Sequence, residues 1–337
     1  MTEISEKATD GEGFRLSVAP MIDWSDRHCR YFHRRFSRRT TLYTEMIVAA
    51  AVLHGPRERL LGFHPEEHPV VLQLGGADPQ ELAQAAAIGR DWGYDEINLN
   101  VGCPSDRVQS GCFGAALMRA PGQVAECVAA MIAAAGPVPV TVKCRIGVDD
   151  QDPEQVLPAF LAEVSAAGAR RFVIHARKAW LQGLSPKENR EIPSLDYGLA
   201  ARMAAAFPDL AIELNGGLEG LDAALAHRGW ASGAMLGRAA YHGPELLGAA
   251  DRRIYGAPGP DVSAETAVRA MLPYIEAQRT TGVPLAAIVR HMLGAFSGRP
   301  GARAWRRTLS EQAHRPGAGP ELVERALAEM TLRGAAA

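Results

Sequence analysis

The stretch VTVKCRIGVDDQDPEQVLPAFLAEVSAAGARRFVIHA (140–176) decides the fold. It opens on VTVKCRI (140–146) and closes on RFVIHA (171–176), two short runs of β-branched and apolar residues. Between them, PEQVLPAFLAEVSAAG (153–168) carries apolar residues at helical spacing, and Pro158 inside it predicts a kink or a shifted start. Strand, helix and strand in this order form a parallel unit with a right-handed crossover. The pattern extends outward to LSVAP (16–20), TLYTEMI (41–47), PVVLQL (69–74) and EINLNV (96–101) on one side, and to AIELNG (211–216) and GAMLG (233–237) on the other. Helical segments such as PQELAQAAAIGRDWG (79–93) separate these runs. Eight strands alternating with helices predict an α/β fold, the (β/α)8 TIM barrel. An open doubly wound sheet is the alternative, but no GxGxxG follows the first strand.

From about residue 250 the strand signals stop. AETAVRAMLPYIEAQRT (264–280), PLAAIVRHMLGAFSG (284–298), GARAWRRTLSEQAH (301–314) and PELVERALAEMTLRG (320–334) predict three or four amphipathic helices, with APGPD (257–261) as a linker. The expected organisation is a loose N-terminal tail over 1–13, a barrel over 14–250 and a small C-terminal all-helical domain over 251–337. The net charge of −2 excludes a globally basic nucleic-acid binder. Its distribution is uneven: residues 1–249 hold 24 Lys+Arg against 30 Asp+Glu (−6), and residues 250–337 hold 12 against 8 (+4). Only four of the 36 basic residues are lysines: Lys7, Lys143, Lys178 and Lys187. The five cysteines fit no CxxC or zinc spacing. No disulfide framework and no metal are therefore expected, and a reducing, cytoplasmic setting fits best. No run approaches the roughly 18 apolar residues of a membrane span.

In a barrel of this kind the chemistry lies at the C-terminal ends of the strands. Those positions read Pro20-Met21, Glu45, Gln73, Asn98 and Asn100 running to Cys103, Lys143, His175, Asn215-Gly216-Gly217 and Gly237-Arg238. Buried polar groups need partners, so a ring of them points to a shared site. After the last two strands, NGG and GR supply backbone N–H groups and a guanidinium fork where barrels usually hold a phosphate. As mere helix-breaking turns they would need no ligand. Lys143 either snorkels to the surface or donates to a ring carbonyl. His175 is either a satisfied core histidine or a donor to the same ring. Gln73 either caps a strand or reads a ring edge. Together the set suits a flavin mononucleotide (FMN). Cys103, on a Gly-Pro loop at a strand end, can be a nucleophile or a general acid. Cys112 in the same loop has no defined role, and Cys29, Cys127 and Cys144 read as core. The stretch RHCRYFHRRFSRR (27–39) reads as a solvated helix face or a phosphate contact at the rim. Arg303, Arg306 and Arg307 share one helical face.

At this point the residues resemble a known family. SVAPMID (17–23), LQLGG (72–76), INLNVGCPSDRVQSGCFGAALM (97–118), VKCRIG (142–147), IHAR (174–177), LNGG (214–217) and MLGRAAY (235–241) resemble the tRNA-dihydrouridine synthases. GLSPKENREIPSLDY (183–197) and LHG (53–55) look like the bacterial subfamily A. The resemblance implies an FMN-containing (β/α)8 barrel followed by a helical domain that grips tRNA. It implies reduction of the C5–C6 double bond of uridine in the D-loop, at positions 20 and 20a, with NADPH as electron donor. Hydride passes from the reduced flavin to C6, and a proton from Cys103 to C5. It places FMN contacts on Ala19, Pro20, Met21, Gln73, Lys143, His175, Asn215, Gly216, Gly217, Gly237 and Arg238. RNA contacts fall on Asn100, Lys187, Arg190, Arg303 and Arg306. A target base in folded RNA must leave its stack to enter a barrel mouth. Two other functions compete: an FMN barrel acting on a free small molecule, and a non-catalytic RNA-binding protein. The +4 helical region favours RNA over a small substrate, and Cys103 beside a full flavin set speaks against a non-catalytic role.

Overall fold

The structure, a computed structural model, describes residues 13–105 and 113–335. Residues 1–12 of the expected tail, and Cys112, lie outside the described residues. Eight strands form a closed barrel in sequence order: β1 (Arg15–Val18), β2 (Thr41–Val48), β3 (Val70–Gly75), β4 (Glu96–Val101), β5 (Val140–Arg145), β6 (Arg171–His175), β7 (Ala211–Asn215) and β8 (Gly233–Leu236). Every neighbouring pair is parallel, and β8 closes on β1 with Arg15 beside Gly233 and Val18 beside Leu236. Around it run α1 (Arg27–Phe36), α2 (Ala49–His54), α3 (Arg57–Leu61), α4 (Pro79–Asp91), α5 (Pro121–Ala135), α6 (Pro153–Ala166), α7 (Tyr197–Ala206), α8 (Leu221–Leu225) and α9 (Arg238–His242). The chain ends in α10 (Ala250–Tyr255), α11 (Ala264–Ala270), α12 (Leu272–Thr280), α13 (Leu285–Val289), α14 (Ala302–Gln312) and α15 (Pro320–Ala335).

Local chemistry explains the boundaries. Asp78 accepts hydrogen bonds from the backbone N–H groups of Gln80 and Glu81, and Pro79 opens α4 with its fixed φ. Asp152 and Pro153 do the same for α6, which runs unbroken to Ala166. The shifted start expected from Pro158 does not occur, because the Asp152 cap fixes the first turn. The C-terminal segments are shorter than their periodicity predicts. Pro273 divides the first into α11 and α12. The second stops at Val289; Gly294 lies where a Cβ would fall 2.6 Å from the His242 carbonyl oxygen, so chain packs directly on chain there.

The strands alternate inward and outward. On β5, Val140, Val142 and Cys144 join the apolar shell under α5 and α6, while Thr141, Lys143 and Arg145 take the alternate positions. The barrel interior has three levels. The floor is ionic: Arg15 pairs with Glu96 at 2.7 Å and Glu213 at 3.5 Å, and Arg171 with Glu213 at 2.8 Å. Above it Ala19, Tyr43, Val71, Val173 and Met235 form an apolar layer. The third level is the mouth. A cavity of about 680 Å³ opens on the floor side, lined by Arg15, Glu96, Arg171 and Tyr255 among others. Arg15 and Glu96 pair within it, and Arg171 pairs with the neighbouring Glu213, so its inner wall belongs to the ionic floor.

The C-terminal helices share a continuous apolar core with the β1, β7 and β8 side of the barrel, from Leu16 and Leu236 through Leu247 to Ile275, Phe296 and Trp305. The basic stretch 27–39 is not one solvated face: Arg38 and Arg39 are exposed, but two of its arginines are buried. On α1, Arg30 is buried against Glu67 at 2.7 Å, and Arg34 is buried with its guanidinium donating to the carbonyls of Ser37, Thr40 and Glu67. Phe32 and Phe36 on the same helix carry Arg30 and Arg34 into the core, where both bind chain. Among the described residues, no helix is long and apolar enough to cross a membrane.

Candidate active site

The mouth gathers the strand ends that the sequence singled out. A hydrogen-bonded ladder of amides climbs to it from the floor. The Thr141 hydroxyl donates to Glu96 at 2.6 Å, the Asn98 amide to Thr141 at 2.8 Å, the Gln73 amide to Asn98 at 2.8 Å and the Asn100 amide to Gln73 at 2.8 Å. Asn100 Oδ1 then accepts from the backbone N–H groups of Gly102 and Cys103, both at 3.0 Å. The buried Asn100 thus sets the turn that presents the thiol. Cys103 is half-buried, with its sulfur 3.4 Å from the Ser105 hydroxyl, while Cys29, Cys127 and Cys144 are buried.

Lys143 stands beside Asn100 in the strand register. Among the described residues nothing pairs with its ammonium. Burial, with the Arg145 guanidinium nearby, pulls it down to about 8. His175 is buried on β6, and burial together with Arg145 and Lys143 holds its imidazole neutral, well below the usual range. Arg145 itself is buried and holds backbone on two sides. Its guanidinium donates to the carbonyls of Gly102 at 3.1 Å, Asn189 at 3.0 Å and Lys178 at 3.3 Å. It therefore staples the thiol loop to the loop after β6. Sequence reasoning missed Arg145, although it follows Lys143 by two residues on the same inward face of β5.

The far wall is built from β7 and β8. Asn215 donates to the Met235 carbonyl at 2.8 Å, and the Tyr197 hydroxyl holds the Gly216 carbonyl at 2.6 Å. Gly216 and Gly217 have φ of 110° and 66°. A Cβ would fall 2.7 Å from the His175 ring at Gly216 and 2.5 Å from Leu195 at Gly217, so conformation and space both demand glycine. Gly237 precedes α9, and its backbone runs beside Ala19 of the β1 end. Pro20 and Met21 continue that end, with the Met21 N–H donating to the Ser25 hydroxyl at 2.8 Å. Arg238 pairs with Glu191, its nitrogen 2.5 Å from the carboxylate.

Lys187 and Arg190 lie exposed on the loop after β6. Arg303 and Arg306 stand apart from the mouth, exposed on α14 beside Arg307. Lys143, Arg145 and Arg190 lie within electrostatic reach of the thiol, and Arg177 and Arg238 gather with Arg190 about Glu191.

The family model for dihydrouridine synthase matches residues 17–331. A tRNA-dihydrouridine(20/20a) synthase of Xanthomonas axonopodis pv. citri is 58% identical over 313 residues, 93% of each chain. Proteins of the same name from Vibrio cholerae and Escherichia coli are 55% and 53% identical, covering 94% and 96% of this chain and 96% and 97% of their own. Among solved structures, morphinone reductase superposes with a TM-score of 0.52 at 14% identity, over 75% of this chain and 88% of its own. An old yellow enzyme homologue from Zymomonas mobilis gives 0.51 at 14%, over 75% and 92%. These two share the barrel fold. On the match along 17–331 and the identities above, the chain belongs to the dihydrouridine synthase family.

Proposed function

We propose that this chain is an FMN-dependent reductase that converts uridine to 5,6-dihydrouridine at positions 20 and 20a of the tRNA D-loop, in the cytoplasm, with NADPH as electron donor. Dihydrouridine formation in tRNA follows from the family and from relatives of that name at 53–58% identity over nearly the whole chain. One observation carries the finer reading. At the barrel mouth, a lysine ammonium without a partner among the described residues lies within electrostatic reach of the least buried of the described cysteines.

The residues present fit the flavin. Gly216 and Gly217 leave bare backbone N–H groups where no Cβ can stand, and the Lys143 ammonium and His175 ring lack hydrogen-bond partners among the described residues. Lys143 and His175 would hold the ring, with Gln73 at its edge and Ala19, Pro20 and Met21 along one side. Asn215, Gly216, Gly217, Gly237 and Arg238 would hold the phosphate end. When bound and reduced, the flavin supplies a hydride to C6 of uracil. Cys103 supplies the proton at C5 as general acid. Asn100 and Arg145 act on the loop that carries Cys103, one through its backbone N–H groups and the other through the Gly102 carbonyl. The barrel of residues 14–250 does the chemistry. The helices of 251–337 grip the tRNA through Arg303 and Arg306, while Lys187 and Arg190 meet it from the barrel side.

Dihydrouridine mapping of tRNA from cells with and without the chain tests the activity, and flavin released from the purified protein tests the cofactor. Loss of the modification at 20 and 20a, with FMN released on denaturation, is the expected result. An unchanged modification map and a colourless protein would overturn it.

A further inference from the structure

The large apolar side chains left in solvent are few, and most lie at one end of the barrel. Of the five in the described residues, Ile22 follows β1, Val48 ends β2, and Trp180 and Ile192 lie on the loop after β6. All four sit at the thiol end of the barrel; Leu332, on α15, is the fifth. Four of the five at one end single out that rim as a contact surface.

Trp180 stands out among them. It is 43% exposed, yet its backbone is pinned on both sides. Its N–H donates to Asn189 Oδ1 at 2.7 Å, and its carbonyl accepts from Asn189 Nδ2 at 2.9 Å. The next N–H, that of Leu181, donates to Asp149 at 2.7 Å. Asn189 and Lys178 are in turn held by Arg145, which also grips Gly102 beside Cys103. The indole is thus held on fixed backbone with 43% of the residue's surface left in water. It is preorganised for a flat partner, and one buried arginine links it to the thiol. The Lys178 ammonium lies 5.5 Å from the centre of its ring. Lys178, Lys187 and Arg190 lie on the same loop, interspersed with Glu188 and Glu191, and three of the chain's four lysines stand at this mouth.

We propose that Trp180 is a stacking platform for a nucleobase of the RNA substrate, the neighbour of the uridine that enters the barrel. A uridine drawn from its stack leaves the adjoining base without a partner face, and the indole supplies one. Lys178 and its cationic neighbours meet the phosphates of the same nucleotide. This rests on the tRNA reading of the preceding section and adds a specificity element to it: the enzyme reads a stackable base beside its target.

The test uses the holoenzyme with Trp180→Ala, Trp180→Phe and Trp180→Leu, together with a tRNA substrate carrying an abasic nucleotide on one or the other side of the target. Trp180→Ala should weaken tRNA binding and raise the tRNA KM about tenfold or more. Flavin content and bleaching by NADPH should stay at wild-type levels. Trp180→Phe should recover most of the loss, and Trp180→Leu, which keeps bulk without a π face, should not. One of the two abasic substrates should cost wild type the same factor and cost Trp180→Ala nothing further. Wild-type tRNA binding in Trp180→Ala would overturn the proposal, as would losses that simply multiply with both abasic substrates. Wild-type protein that neither binds nor modifies any tRNA would overturn the functional reading instead, whatever Trp180 does.

Discussion

The floor and the mouth of this barrel are both polar, and both are built from the same inward positions of the same strands. They differ in how their groups are partnered. On the floor, Arg15, Arg171, Glu96 and Glu213 balance in charge, and Thr141 and Tyr43 add hydroxyl donors to Glu96. At the mouth, cations crowd together, and nothing in the described chain pairs with the Lys143 ammonium. A buried charge without a partner is costly, so a fold retains one only where something else will satisfy it. The comparison therefore separates polar groups that hold the barrel from those that await a ligand.

The sharpest test removes one group from each level. Cys103→Ala should lower dihydrouridine formation by about 100- to 10,000-fold, the usual contribution of a general acid, with flavin content and NADPH bleaching intact. Turnover near wild type would mean that the proton comes from elsewhere. On the floor, Glu213→Leu leaves Arg171 and Arg15 short of a carboxylate. It should cost about 3–5 kcal/mol of unfolding free energy in urea, with turnover per folded molecule retained. A variant of normal stability and lost turnover would put the floor into the chemistry and collapse the distinction.

Lys143 gives a finer test, because its cost to the fold has a pH signature. Burial holds its folded value near 8, below the ordinary lysine value of 10.5. Below pH 8 both folded and unfolded chains carry the proton, and the folded chain bears the full penalty. Between 8 and 10.5 the unfolded chain binds the extra proton, so wild-type stability rises with pH and the penalty fades. Lys143→Met should therefore stabilise the flavin-free protein at pH 7 by about 2 kcal/mol and confer little at pH 10.5, while abolishing turnover. Equal effects at both pH values would show that Lys143 is not a buried cation in waiting.

Much of this was legible before the structure. EINLNV (96–101) is the observed strand to the residue, five others differ from their strands by one residue at one end, and LSVAP (16–20) and PVVLQL (69–74) by one or two at both. Short parallel strands in a barrel are buried on both sides, so their apolar signal is strong and glycine or proline marks their ends. The ring of strand-end residues was legible because such a barrel puts its chemistry there. What escaped depended on contacts between distant segments. Arg145 matters through carbonyls 33, 43 and 44 residues away along the chain. The role of Asn100 in setting the thiol loop, through bonds to Gln73 and to the Gly102 and Cys103 N–H groups, was likewise invisible in the sequence. The arginines of α1 looked solvated because a charge run does not reveal which carboxylates and carbonyls the fold will bring to it.

The α1 arginines also frame the last and smallest prediction, since they carry the contrast between paired and unpaired cations out to the surface. Arg30 and Arg34 are buried among acceptors, whereas Arg303, Arg306 and Arg307 are exposed on one face of α14. Trp305 and Leu309 bury the other face and fix the orientation of the helix. Solvated arginines are common, so exposure alone argues less here than the bare ammonium of Lys143 does inside the barrel. The weight comes from charge, +4 over residues 250–337 against −6 before them: a polyanion meets less repulsion at these helices than at the barrel body. Removing one arginine that neutralises a phosphate should flatten the log–log dependence of binding on salt by about 0.7–0.9. Arg303→Ala combined with Arg306→Ala should therefore lower that slope by about 1.5 and raise the tRNA KM several-fold, with flavin content, stability and NADPH bleaching unchanged. Arg30→Ala should do the reverse, costing stability and leaving the salt slope alone, because its charge is already spent on Glu67. If the double variant keeps its slope, α14 is not where the RNA is held, and the exposed Lys187 and Arg190 on the barrel side become the residues to substitute next.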